Sequence, residues 1–296
     1  MPANAMARRD ARFAWSLLAP LVIVLTLLAV TPLLAAVWES LHRHDLRMPW
    51  LGRPWVGLGN YTDAATDARL LEALVHTLGF TIISVALEIA CGLALALALD
   101  VVRRGRGAAR AIVLMPWALP TVVAALVWRF MFDVETGVVA AFGIEGLHRA
   151  WLSDPTLAWV PILLADVWKS TPFVALLLLT GLQAIDPGLH EAARMDGAGP
   201  LDRFVTITLP LLRPTLLVAG IFRLLDAFRV FDLVYVLTGG GPGTATEVVS
   251  LYAFTTLFQN LRFGYGAALS VITFGITFVL ALGYIRALAL AGGDRG

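Results

Sequence analysis

Six charged side chains lie inside two long apolar stretches of the sequence, and they alternate in sign at intervals of three residues. They are Asp166 and Lys169 in one stretch and Arg223, Asp226, Arg229 and Asp232 in the other. An isolated charge at the centre of a membrane helix costs roughly 2.5–3.5 kcal/mol, so these side chains must pair with one another or face water. Two interpretations are open: ion pairs that hold two helices together, and the polar lining of a passage for a substrate.

The two stretches place their charges at a similar depth. Arg223 lies nine residues after Pro214, and Asp166 lies ten residues after Thr156. At ~1.5 Å per residue these are depths of ~14 and ~15 Å from opposite membrane surfaces, near the middle of a ~30 Å hydrocarbon core. Transporters usually place their substrate site at this level. The substrate-path candidates are therefore Asp166, Trp168, Lys169, Arg223, Asp226 and Phe231.

The sequence contains none of the familiar patterns of catalytic or metal sites. Its one lysine does not belong to a phosphate-binding P-loop, and its five histidines show no metal-ligand spacing. A single cysteine excludes an internal disulfide, and a net charge of +1 gives no reason to expect nucleic acid as a partner. We predict no catalytic residue, no metal site and no cofactor bound by this chain.

The composition is that of a membrane protein. The chain of 296 residues is 59% hydrophobic and only 15% charged, whereas soluble domains are roughly 45–50% apolar and about 25% charged. The first apolar stretch exceeds the ~7–15 residues of a secretory signal core, so we interpret it as a membrane helix. We predict an all-α membrane protein with six transmembrane helices, over 13–38, 71–99, 111–128, 156–185, 214–237 and 263–285.

The distribution of arginine predicts the orientation of these helices. If both termini are cytoplasmic, the inner segments carry 12 arginines and the outer loops carry 6, and basic loops stay in the cytoplasm. The predicted organisation is a cytoplasmic tail at 1–12, a first transmembrane helix at 13–38, a periplasmic or interfacial loop at 39–70 and a transmembrane core at 71–290.

The loop at 186–213, between the fourth and fifth apolar stretches, carries the most specific pattern. Asp186 precedes a proline, which predicts the start of a short helix, and Gly197 or Gly199 can end that helix with a positive φ. A second short helix is expected to follow and to end at Pro210. The sequence therefore predicts a structured helix–turn–helix at the membrane surface.

This loop resembles the EAA loop of the permeases of binding-protein-dependent ABC importers. Every position of that pattern is present: Glu191, Ala192, Ala193, Gly197, Ile207, Leu209 and Pro210. The resemblance covers about 70–290. Two further segments, Trp168–Phe173 and Leu237–Pro242, are similar to the first permease subunit of the carbohydrate-uptake branch, the maltose and glycerol-3-phosphate type.

The resemblance implies a type I ABC importer transmembrane domain in the bacterial inner membrane and a sugar as substrate. In that family the EAA loop contributes a helix that docks on a cytoplasmic ATPase. Carried over, the ATPase-coupling residues are Glu191, Ala192, Ala193, Asp196 and Gly197. The implied partners are a second homologous permease, a pair of ATPase subunits that bind ATP and Mg, and an extracytoplasmic solute-binding protein.

Two alternatives stay open at this stage. One is an ABC importer for another solute, such as glycerol-3-phosphate, a polyol or a peptide. The other is an ion-coupled secondary transporter that uses Glu88 or Asp166. The six intramembrane charges sum to zero, which favours a neutral sugar or polyol over a phosphorylated substrate.

Overall fold

A computed structural model of the protein describes residues 3–102, 104–138 and 150–292. Apart from two isolated bridges, the regular structure in these residues is helical. The α-helices, numbered in chain order, are α1 Ala3–Leu25, α2 Thr31–Ser40, α3 Gly59–Ala65, α4 Ala68–Val101, α5 Arg106–Ala118, α6 Thr121–Met131, α7 Trp159–Gln183, α8 Pro187–Met195, α9 Pro200–Arg203, α10 Leu209–Phe228, α11 Asp232–Leu237, α12 Val249–Phe254 and α13 Phe263–Gly292.

Five helical segments are long and apolar enough to cross a membrane. They are Leu17–Ser40, Ala68–Val101, Trp159–Gln183, Pro200–Phe228 and Phe263–Arg286. A sixth candidate is the pair α5 and α6, which passes the same test only if its two bent halves are taken together. The predicted all-helical membrane fold is confirmed, with a difference in how the third span is built.

The third predicted span, over 111–128, is not one continuous helix, because the chain bends by 85° between α5 and α6. Leu119 adopts an extended backbone conformation, with φ −70° and ψ 138°, directly before Pro120. A residue that precedes proline is driven out of the helical region, and proline itself has no N–H to donate. Pro120 therefore separates α5 from α6.

The fifth span also differs from its predicted bounds of 214–237. Helical structure continues from Pro200 to Phe228, and Pro210 does not end a helix. A π turn at Phe204–Thr208 precedes this proline, and the Leu209 N–H bonds back to the Phe204 carbonyl. Because proline has no N–H and its ring crowds the preceding turn, a wider turn accommodates it without breaking the helix.

The chain divides into two compact units. The smaller unit comprises the residues up to Asp67 together with Ala253–Gly275, and the larger comprises Ala68–Tyr252 together with the residues from Ile276 onward. In the smaller unit, α1, a π turn at Thr26–Val30 and α2 follow one another as a long apolar helix. None of the most apolar window of this helix is buried within the chain.

The larger unit is organised around α4 and α7, which pack extensively on each other, and α10 packs against both. A Cβ at Gly92 of α4 would lie 2.5 Å from Cγ1 of Val174, so only glycine lets the two backbones approach this closely. Leu178 and Leu212 are fully buried in the resulting core. This packing brings the middles of three helices side by side, and each of them carries charge.

Candidate functional site

Arg223 of α10 is the centre of a buried ion cluster that joins three helices. Its Nε and Nη2 donate to the two carboxylate oxygens of Glu88 on α4, at 2.5 and 2.8 Å. Its Nη1 donates to Asp226 at 2.6 Å, and Nη2 also reaches Asp166 of α7 at 3.4 Å. A guanidinium presents a planar fork of N–H groups, so one arginine serves three carboxylates with good geometry.

The two ends of the cluster differ in exposure. The buried end at Glu88 is called the dry end, and the exposed end at Asp226 is called the wet end. The side chain of Glu88 is 0% exposed and that of Asp166 is 13% exposed, whereas that of Asp226 is 63% exposed. Asp226 is largely exposed within this chain, whereas Glu88 depends on Arg223 alone for compensation among the described residues. Exposure therefore rises from α4 towards one side of α10.

The wet end opens into a cleft of about 140 Å³. Its polar and aromatic lining comes from α6, α7, α10, α11 and the break between α10 and α11, and comprises Thr121, Asp166, Lys169, Ser170, Asp226, Arg229, Phe231 and Asp232. Phe231 stacks on Tyr235 with ring centroids 5.4 Å apart. A polar cleft of this size can contact part of a hydroxylated ligand by hydrogen bonds and by stacking on its C–H faces.

The structure brings together most of the substrate-path candidates. Asp166, Lys169, Asp226 and Phe231 line the cleft, and Arg223 lies behind it at 4% exposure. Trp168 is not among the lining residues; it is half-exposed and meets Trp128 edge-on, with ring centroids 6.0 Å apart. The candidates thus divide into a lining set, a supporting arginine and one peripheral tryptophan.

Pairing at a spacing of three residues occurs in the second charged stretch and not in the first. Asp226 pairs with Arg223, and Arg229 also reaches it at 3.8 Å. Asp166, however, pairs with Arg223 of another helix, and Lys169 forms no ion pair with any residue that the structure describes. The two interpretations of these charges therefore coexist: one end of the cluster ties helices together, and the other lines a cleft.

Glu88 is the member of the cluster that sequence reasoning did not pair with Arg223. A signal for it exists, because between Ala73 and Leu99 it is the one Asp, Glu, Lys or Arg in the sequence. A lone carboxylate at that depth requires a cation from another helix. The estimate of depth from the helical rise per residue, which placed Asp166 and Arg223 at one level, can also be applied to Glu88.

The surface segment at 186–199 forms the short helix expected there. The Asp186 carboxylate caps α8 by accepting a 2.8 Å hydrogen bond from the Gly188 N–H. The helix ends at Gly197, whose φ is +85°, and the Ala198 N–H closes on the Ala193 carbonyl at 2.9 Å. This is a Schellman ending, which needs a residue that tolerates a positive φ.

The side chains of this segment point away from the chain. Glu191, Ala192, Asp196 and Gly197 are exposed, and Ala193 is half-buried. Apolar side chains are exposed beside them: Leu189 at 45%, Met195 at 88% and Leu201 at 72%. A helix whose backbone is satisfied locally while its apolar and charged side chains face outward is typical of a docking surface.

Residues 88–289 match the family described as "Binding-protein-dependent transport system inner membrane component". The chain belongs to this family. The resemblance inferred from the EAA positions is confirmed, and the chain is a transport component of a membrane rather than an enzyme.

Named relatives match almost the whole chain. The trehalose/maltose transport system permease protein MalF of Thermococcus litoralis is 42% identical over 283 residues, which are 94% of this chain and 94% of that protein. The trehalose transport system permease protein SugA of Mycobacterium tuberculosis (strain CDC 1551 / Oshkosh) is 38% identical over 98% of this chain and 92% of its own length.

A solved structure shares the fold. It is a bacterial alginate ABC transporter in complex with an alginate pentasaccharide-bound periplasmic protein, and it matches with a TM-score of 0.79 and 22% identity. The match covers 94% of this chain and 93% of that chain. The type I importer fold expected for this permease family is therefore confirmed.

Proposed function

We propose that this chain is the permease subunit of an ATP-driven sugar importer in a bacterial inner membrane and forms half of its translocation path. The observation that carries the proposal is similarity along nearly the full chain to relatives named as trehalose/maltose and trehalose permeases. A polar cleft beside a mid-membrane ion cluster supports it, because transporters usually bind their cargo at this depth.

The proposed partners are a second homologous permease, a pair of ATPase subunits that bind ATP and Mg, and an extracytoplasmic solute-binding protein. The surface segment at 186–199, with Glu191, Ala192, Ala193, Asp196 and Gly197, is the proposed ATPase-docking surface. The family description names a binding protein, and the alginate transporter was solved with a periplasmic protein bound. Both observations favour delivery of the substrate by a separate protein.

Coupling follows from the way in which α8 is joined to the cluster. The segment at 186–199 lies between the end of α7 and Pro200, where helical structure begins and continues to Phe228. Asp166 belongs to α7, and Arg223 and Asp226 belong to α10. A displacement of α8 by the ATPases would therefore move both helices that flank the cleft. In this way ATP binding and hydrolysis could open the cleft to one side of the membrane and then to the other.

The charge of the cleft favours a neutral substrate. Three carboxylates and two cations line it, and the third cation, Arg223, is already bonded to Glu88. A phosphorylated substrate such as glycerol-3-phosphate would need surplus positive charge. A neutral sugar or polyol fits this lining better.

Transport assays test the proposal. The complete complex, reconstituted in liposomes with its binding protein, should take up trehalose or maltose when ATP is present, and one of these sugars should stimulate ATP hydrolysis. Uptake should persist with an uncoupler as long as ATP is maintained. Uptake that the uncoupler abolishes under those conditions would establish ion coupling instead.

The proposed orientation places both termini in the cytoplasm. Cysteines introduced at Arg104 and Gly243, in a Cys91→Ser background, should react with an impermeant maleimide from opposite sides of the membrane. Reaction of both positions from the outside would contradict this topology.

A further inference from the structure

The smaller unit contains a polar cleft that the proposed transport function does not use. Its volume is about 480 Å³. The charged side chains that line it, together with one tyrosine, are Arg43, Asp45, Arg47, Asp63, Arg262 and Tyr265.

Backbone pairing fixes the walls of this cleft. Asp45 and Arg262 form an isolated antiparallel bridge, and the Leu46 N–H donates to the Leu261 carbonyl at 3.0 Å. The Arg43 N–H donates to the Pro54 carbonyl at 2.9 Å. The loop is therefore held in shape by its own backbone, so the cleft is preformed rather than dependent on a ligand.

Two of the charged side chains in the cleft, Arg47 and Asp45, neutralise each other. Arg47 forms a bidentate pair with Asp45, through Nε at 2.9 Å and Nη2 at 2.6 Å, and this hydrogen-bonded arginine lowers the pKa of Asp45 to about 2. Arg43 and Asp63 form no ion pair within the described part of the chain. One cationic and one anionic group thus remain available in the same cleft.

Arg262 adds a second cation to the cleft. Its Cζ lies 4.5 Å from the centroid of the Tyr265 ring, which orients the guanidinium without neutralising it. A ligand that carries both an anion and a cation would complement the two arginines and Asp63.

Exposed apolar side chains lie next to the lining residues of the cleft in the sequence. Within the segment that runs between its walls, Leu46 is 45% exposed, Trp50 is 76% exposed and Leu58 is 67% exposed. Exposed tryptophan and leucine next to arginine are typical of chain that lies at the boundary between membrane and water. Charges of both signs with exposed apolar residues nearby match the chemistry of a phospholipid headgroup and its acyl chains.

We propose that this cleft binds the headgroup of a phospholipid that carries a primary amine, of the phosphatidylethanolamine type. The phosphate accepts hydrogen bonds from Arg43 and Arg262, since guanidinium groups match phosphate oxygens. The ammonium donates to Asp63, and the acyl chains follow the exposed apolar residues Leu46, Trp50 and Leu58. Phosphatidylglycerol lacks the amine, and the choline headgroup has no N–H to donate, so both bind less tightly.

Lipid titration of the complete purified complex tests this site, with bound lipid counted by native mass spectrometry. Phosphatidylethanolamine, phosphatidylglycerol and phosphatidylcholine with matched acyl chains are compared. In the wild type we expect phosphatidylethanolamine to bind most tightly. Arg43→Gln should weaken both phosphatidylethanolamine and phosphatidylglycerol by about tenfold, whereas Asp63→Asn should weaken phosphatidylethanolamine alone, to the level of phosphatidylglycerol.

Arg53→Gln is the matched control, because Arg53 lies on the same loop and pairs with Glu39 outside the cleft. It should leave lipid binding unchanged. Equal binding of the three lipids, or an equal loss in Arg53→Gln and Arg43→Gln, would overturn the proposal. Water-soluble phosphoethanolamine that binds as tightly as the lipid would also overturn it, because the exposed apolar residues would then have no part in binding.

Discussion

The mid-membrane ion cluster and the surface segment at 186–199 satisfy their polar groups in opposite ways. In the cluster, the side chains of Arg223, Glu88 and Asp166 compensate one another inside the chain. In the surface segment, the backbone closes on itself through the Asp186 cap and the Gly197 ending, and the side chains are left outside. Low dielectric forces internal pairing, whereas exposed chain can keep its side chains for another protein.

The largest effect is expected at the dry end of the cluster. Glu88→Gln removes the charge that a buried arginine depends on, and breaking such a pair costs about 3–5 kcal/mol. The variant should give little assembled complex, and the purified complex should unfold at a lower temperature. Glu72→Gln is the control, because Glu72 lies exposed on the same helix. Equal stability of the two variants would contradict the internal role of Glu88.

The wet end should separate transport from stability. Asp226→Asn removes a carboxylate whose side chain is 63% exposed, so the loss of stability should stay below about 1 kcal/mol. Sugar uptake should fall by about tenfold, which corresponds to ~1.4 kcal/mol in binding or in the transition state. Wild-type uptake by Asp226→Asn would show that Asp226 has no part in transport.

At the surface segment, the backbone is the sensitive part. Gly197 has φ +85° with open space around its Cα, so Gly197→Val meets backbone strain of roughly 1–3 kcal/mol and no steric clash. ATP-driven uptake should fall severalfold while the complex still assembles in the membrane. Gly197→Asn should retain most activity, since asparagine tolerates the left-handed region. A similar defect in both variants would indicate that the absence of a side chain, rather than the φ value, is what matters.

The smallest effect is expected from a side chain that is almost fully exposed in the isolated chain. Met195 is 88% exposed at the end of α8. Met195→Ser should leave the unfolding temperature of the isolated permease unchanged and weaken ATPase association by about threefold, as is usual for contacts outside a hot spot. A binding measurement between the permease pair and the ATPase checks this. A lowered unfolding temperature would place Met195 in the fold instead.

What the sequence predicts well is what depends on local rules. The caps of α8, the level of Asp166 and Arg223 and most of the apolar spans follow from spacing alone. Spacing alone does not predict the partner of Arg223 or the backbone conformation at Pro120 and Pro210. Pro120 bends the chain by 85° while a π turn carries the helix through Pro210, and the difference depends on what surrounds each proline. Glu88 could be recognised as a buried charge, but its choice of partner is set by how closely α4, α7 and α10 pack.

The π turn at Phe204–Thr208 also sets the rotational phase of the helix that follows it. Each residue advances an α-helix by about 100°, so the extra residue of a π turn rotates everything downstream by about that angle. Arg223 faces Glu88 from a helix that carries this added rotation. Deleting one residue within 204–208 would turn the π turn into an ordinary α turn and leave the direction of the guanidinium unchanged, whereas converting the turn to α-helix without a deletion would swing the guanidinium away from α4. The direction in which the buried arginine points thus depends on residues near the surface segment, far from the carboxylates that it contacts.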